Sequence, residues 1–215
     1  MDADEYKKLL KKFHKLSDRH ILVVETDMPY PDVLKVVALS DKIRKAGNEL
    51  VSLMKKNYEQ LMRTKKYRKL LQLYGSTEDK KKRKTYAGQL NEMQEQYNLT
   101  KESCRTLMIP IGKKYGIDAI FALTKAEDVW HGVEKCLYGN GKTLHFSKYG
   151  DLPCIRAKQI NRGIPMSVKN DELKFKLGKL VFGIQVKDRF QTDEVKSHTT
   201  EVACFHTCFS GVRTR

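Results

Sequence analysis

Apolar positions along the chain change their period several times. Leu9, Leu10, Phe13 and Leu16 recur at helical spacing among five lysines, which predicts a short amphipathic N-terminal helix. Ile21-Leu22-Val23-Val24, within Arg19–Glu25, predicts one strand. Thr26-Asp27-Met28-Pro29-Tyr30-Pro31 then stops any ladder or helix, because proline lacks the N–H both require. From Ser40 the period is 3.6, with Leu39, Ile43, Leu50, Met54, Leu61 and Leu70/Leu71 on one face up to Tyr74-Gly75; one long helix is predicted, with Gly47 as its point of breakage. Ser76 to Tyr97 predicts a second helix, with Tyr86, Leu90, Met93 and Tyr97 apolar and Glu78 and Asp79 in the first turn. Thr100 predicts an N-cap leading through Cys104, Leu107 and Ile111 towards Gly116, with Pro110 kinking or ending that helix. Thr124-Lys125-Ala126-Glu127 has the form of a capping box and places Trp130, Val133 and Leu137 ahead of Gly139.

After Gly139-Asn140-Gly141 the segments become short: Thr143–Phe146, Cys154–Lys158, Ile164–Val168, Glu172–Leu177 and Leu180–Val186 read as strands between glycines at 150, 163, 178 and 183, with Asn170-Asp171 as a turn. The class predicted is α+β, an antiparallel small barrel or curled sheet into which a helical domain is inserted. Residues 1–34 would supply the first helix and strand, 35–140 the helical insert, 141–195 the remaining strands, and 196–215 a divergent tail.

Charge sharpens the picture. The 215 residues hold 42 Lys+Arg against 26 Asp+Glu, a formal +16, which calls for polyanionic partners. Between Lys55 and Lys84 twelve basic residues face three acids, a surplus of nine; between 142 and 189 eleven face four, a surplus of seven, interleaved with Phe146, Tyr149, Phe175 and Phe182. Basic side chains neutralise phosphates and aromatics stack on unpaired bases. No run of 18 apolar residues and no cationic, apolar leader is visible, so a soluble cytoplasmic protein without a membrane partner is expected. Five cysteines, at 104, 136, 154, 204 and 208, are odd in number and suit reduced thiols.

Val129-Trp130-His131-Gly132-Val133-Glu134-Lys135-Cys136-Leu137-Tyr138-Gly139-Asn140-Gly141-Lys142-Thr143-Leu144-His145-Phe146, continuing through Ile155-Arg156-Ala157-Lys158-Gln159-Ile160-Asn161-Arg162-Gly163-Ile164 to Lys187-Asp188-Arg189-Phe190, resembles the N-terminal half of TnpB, the transposon-encoded RNA-guided nucleases, and of the related compact type V CRISPR effectors. The resemblance spans about 35–195. It implies an oligonucleotide-binding-like wedge barrel that, with a helical recognition domain, clasps a structured guide RNA and the RNA–DNA hybrid, and so brings target DNA as a second partner. On that basis Lys142, His145, Lys148, Arg156, Lys158, Asn161 and Arg162 are the expected barrel contacts. Arg63, Lys65, Lys66, Arg68 and Lys69, with the tract Lys80, Lys81, Lys82, Arg83 and Lys84, are the expected helical contacts. Members of that family follow the wedge with a RuvC-like nuclease and a late zinc finger of paired Cys-x-x-Cys; neither can be assembled from this sequence, and no catalytic residue, metal or cofactor is expected.

Weaker motifs have plainer explanations. Gly116-Ile117-Asp118 has the form of a RuvC opening strand but falls among the predicted helices. Gly141-Lys142-Thr143 ends like a phosphate-binding loop, yet Cys136 stands where its first glycine belongs. Cys204 and Cys208, near His198 and His206, lack a second matching pair for zinc, and Glu127 is accounted for by its cap. The function expected is a non-catalytic guide-RNA-binding module. Competing readings are a basic protein that binds ribosomal RNA or a protein partner, and one chain of a split endonuclease whose metal site a separate subunit brings.

Overall fold

The computed structural model describes residues 29–139, 141–149, 155–157, 166–169, 172–177, 179–185 and 203–205. Five helices come first: α1 Tyr30–Arg63, α2 Lys65–Ser76, α3 Lys80–Gln96, α4 Lys101–Tyr115 and α5 Ala119–Tyr138. The start of α1 corrects the reading of Pro29 and Pro31 as a stop. Pro31 sits in the first turn, where a missing N–H forfeits no intrahelical bond and the fixed φ already suits a helix. Val36, Ser40, Ile43, Gly47, Leu50, Met54 and Leu61 form its buried stripe. The helix does not break at Gly47, and the side chain of Lys125 crosses it there, where a Cβ would meet Lys125 Cε. The break falls instead at Thr64, which turns extended at φ −70°, ψ 117°.

Side-chain caps set the remaining boundaries. The Asp79 carboxylate accepts from the backbone N–H of Lys81 at 2.8 Å and opens α3. Thr100 Oγ1 accepts from Ser103 N–H at 3.1 Å, so the predicted cap of α4 is present. Pro110 does not end that helix, which runs on to Gly116; there φ of 63° lets the N–H of Ile117 reach the Gly112 carbonyl at 2.9 Å. For α5 the predicted capping box is wrong. Asp118 caps the helix by accepting from Ile120 N–H, and Thr124 lies one turn inside, donating to the Ile120 carbonyl at 2.8 Å. Asp118 offers its carboxylate six residues earlier than Thr124, and Phe121 and Ala122 extend the buried face back to it.

α1, α4 and α5 pack as a three-helix core around Leu50, Met54, Cys104, Met108, Phe121, Ala126 and Val133. α4 and α5 approach closely at Gly112, where a Cβ would stand 2.9 Å from that of Ala122. α2 and α3 pair as an antiparallel hairpin whose buried residues are Tyr67, Leu70, Leu90, Met93 and Gln94.

The strands are β1 Ile155–Ala157, β2 Met166–Lys169, β3 Glu172–Leu177, β4 Leu180–Gln185 and β5 Ala203–Phe205. They overturn the expected α+β class with its oligonucleotide-binding-like barrel. The described residues are mostly helical, and their strands make two small antiparallel sheets, a β2-β3-β4 meander and a β1-β5 pair. A barrel requires every strand to be paired on both sides. Among the described residues only β3 is, with Phe175 opposite both Met166 and Phe182. Thr143–Phe146, the expected next barrel strand, is not a strand and lies on α1. The expected first strand, Arg19–Glu25, lies outside the described residues. Part of the tail read as divergent does pair, with Cys204 opposite Arg156.

Candidate nucleic-acid interface

The hairpin carries the densest charge. Arg63 ends α1; Lys65, Lys66, Arg68 and Lys69 occupy the first turn and a half of α2; Lys80, Lys81, Lys82, Arg83 and Lys84 occupy the start of α3, and all ten are exposed. Among the described residues none of the ten has an ion pair. Arg83 stacks over the ring of Tyr74, 4.8 Å from its centroid. The two acids in this stretch are Glu78 and Asp79, and the second is held by the cap.

Several cations of the three-helix core have acid partners. Lys35 pairs with Asp32 at 2.7 Å, Arg44 and Lys45 with Asp41, Lys114 with Glu49, and Arg105 with Glu102 and Glu127. Glu127 is buried, so its partners Arg105 at 2.6 Å and Lys101 at 3.6 Å, rather than a helix cap, explain its place. Hydrogen bonds from Lys45 and Arg44 hold Asp41 below the ordinary carboxylate range, and those from Lys114 and Tyr115 do the same for Glu49.

The position of the lysine tract opposes local stability. A helix N-terminus carries the positive end of the macrodipole, so each cation in the first turn costs about 0.3–1 kcal/mol at low ionic strength. The pairs Lys80/Arg83, Lys80/Lys84 and Lys81/Lys84 add like-charge repulsion at three- and four-residue spacing.

The expected barrel contacts are dispersed. Lys142, His145 and Lys148 are exposed on the segment 141–149, which runs along α1. Asn48 fixes it there, donating from Nδ2 to the Ser147 carbonyl and accepting from Ser147 N–H, both at 2.9 Å. Arg156 leaves β1 to bond Asp128 of α5, so its charge is already partnered. Lys158, Asn161 and Arg162 lie outside the described residues. The lysine tract is at the far end of the hairpin from the 141–149 segment. Gln94, which the Tyr138 hydroxyl reaches from α5, is ten to fourteen residues beyond that tract, about 15–21 Å along the helix axis.

Sequence alone does not reveal four contacts. Gln94 donates to the Tyr67 hydroxyl at 3.1 Å and accepts from Tyr138, tying hairpin to core. Lys55 lies 5.9 Å from the Phe146 ring centroid, and Arg44 lies 5.5 Å from that of Tyr149. Only the Asp41/Arg44 spacing of three carries a local signal; the rest join residues far apart in the chain.

The thiols are core groups. Cys104 is fully buried against Met54, its Sγ 3.4 Å from Sδ, and burial pushes its pKa to about 12; burial also raises that of Cys136. Among the described residues no three His, Cys, Asp or Glu are grouped to hold a metal ion. Asp118 of the Gly-Ile-Asp triplet is the α5 cap. Cys208, His198 and His206 lie outside the described residues. Among the described residues no helix is long and apolar enough to cross a membrane. Compared with protein-family models, curated proteins and solved structures, the chain matches none.

Proposed function

We propose that the chain is an RNA-binding module, without catalysis of its own, that grips the phosphate backbone of a structured, guide-like RNA with the α2–α3 hairpin. The observation that carries this is the partition of charge. Six cations of the three-helix core have acid partners, whereas none of the ten exposed cations at Arg63 and on the hairpin has one among the described residues, and four of them, Lys80 to Arg83, stand in the first turn of α3 where the helix dipole repels them. A duplex backbone supplies the missing anions, and releasing its condensed counterions drives association. The resemblance of Val129–Phe146 to the RNA-guided nucleases favours RNA over DNA as the first partner. The barrel that the resemblance also implied has no part in this reading.

Sequencing the nucleic acid that copurifies with the chain tests it. One short structured RNA with a variable end is expected. Recovery of ribosomal RNA alone would replace the guide by the competing reading, and recovery of no nucleic acid, with no binding to added RNA duplex, would refute RNA binding altogether.

A further inference from the structure

We infer that the segment 141–149, laid along α1, is a second binding strip that takes unpaired nucleotides of the same RNA by stacking them on Phe146 and Tyr149. The inference rests on the RNA-binding reading but uses residues remote from the lysine tract.

Three features set this strip apart. First, its aromatic rings face solvent: Phe146 is 49% and Tyr149 89% exposed. Second, the backbone that presents them is fixed. Asn48 clasps Ser147 through both its amide N–H and its carbonyl, and Gly141 donates to the Lys135 carbonyl at 3.0 Å. The main chain that carries the rings is therefore anchored before any ligand arrives, which lowers the backbone entropy lost on binding. Third, the surroundings are cationic. Lys55 and Arg44 of α1 lie beside the two rings, Lys142 and Lys148 belong to the segment, and residues 141–149 include no acid. Arg44 is held in place by a fork onto Asp41, with bonds of 3.0 and 2.7 Å.

Exposed aromatics on an anchored backbone among cations suit a flexible polyanion with planar groups. A base stacks on the ring while its phosphate meets the neighbouring cation, and any base serves because every base has a π-face. An apolar protein partner would bury the Lys55 and Lys142 ammonium groups without a counter-charge. The strip also continues the hairpin. Lys55 and Arg63 are eight residues apart on α1, about 12 Å of helix axis, so a strand leaving a duplex on the hairpin reaches Phe146 within a few nucleotides.

The test uses the full chain with two fluorescein-labelled probes, a 15-nucleotide oligouridine and a blunt 15-base-pair RNA duplex. Phe146→Ala/Tyr149→Ala should weaken oligouridine binding at least tenfold, with its salt dependence unchanged because no charge is removed, and leave duplex binding within about twofold. Phe146→Tyr/Tyr149→Phe should restore wild-type binding of both. Independently of any variant, photocrosslinking of 4-thiouridine oligomers to the wild-type chain should place adducts between 142 and 149. Oligouridine binding that the alanine pair leaves intact, or adducts confined to α2 and α3, overturns the strip. Duplex binding without any oligouridine binding overturns the strip alone, and loss of both probes in the wild type overturns the proposed function with it.

Discussion

Replacing Lys80, Lys81, Lys82, Arg83 and Lys84 together by glutamine should weaken duplex RNA binding about 100-fold at 0.1 M salt. The size follows from helix geometry. Five consecutive residues turn through more than one full circle at 100° each, so about half face any one ligand, which amounts to two or three phosphate contacts. Arg63 and the four cations of α2 add about as many, for roughly five in all. At a slope of about −0.9 per neutralised phosphate, log K should fall with log salt at about −4.5, and a rise from 50 to 200 mM should cost the wild type about 500-fold. The glutamine variant should bind with a slope near −2. Glutamine keeps the helix propensity and removes the repulsion, so the fold should not suffer. Fluorescence anisotropy of a labelled RNA duplex at four or five KCl concentrations gives both slopes. Equal slopes and equal affinities for variant and wild type would show that the tract is only a solvated helix end.

The core offers sharper checks on packing. Arg105→Met removes the nearest cation from buried Glu127 and should lower the urea midpoint, and adding Glu127→Leu should recover most of the loss. Gly112→Ala and Gly88→Ala should act in opposite directions. The first drives a Cβ to 2.9 Å from Ala122 and should destabilise by about 1 kcal/mol net of the better helix propensity, while the second meets open space and should stabilise by up to about 1 kcal/mol. Cys104, fully buried with its pKa raised to about 12, should resist iodoacetamide at pH 8 in the native protein and react once urea is added, as peptide mass spectrometry would show.

Legibility in the sequence followed the range of the interaction. Thr100 and the strand Glu172–Leu177 were readable because a cap or an alternating run is decided within a few residues, whereas Asp79, expected in the first turn of a helix from Ser76, is the cap of one that starts at Lys80. Thr124–Glu127 failed because a capping box shows which residues can cap, not whether an earlier one already does. Pro31 failed similarly, since proline stops a helix interior but suits a first turn. The barrel failed for a different reason: four of the five strand segments were found, yet closure depends on pairings between distant strands that leave no local trace. For the site, exposure of the cations was legible from their density. The clasp of Asn48 on Ser147 was not, because nothing around either residue marks a partner 99 positions away.

The uneven packing of α3 links its charge to its dynamics. Its buried residues, Leu90, Met93 and Gln94, all fall in the C-terminal half, while Lys80–Gln89 has the Asp79 cap, the Arg83–Tyr74 stack and the half-buried Tyr86 to oppose the dipole and the like-charge pairs. Segments with few buried contacts open at low free energy, so the amides of residues 84–89 should exchange with deuterium faster than those of Leu107–Ile111 in α4, where Met108 and Ile111 are buried. Phosphates docked at the start of α3 would cancel both the dipole and the repulsion and so stabilise the closed helix. Saturating RNA duplex should then slow exchange over 84–89 by at least tenfold without changing α4. Protection appearing in α4 and not in α3 would mean that the ligand sits elsewhere and that the strained charge at this helix start serves no binding role.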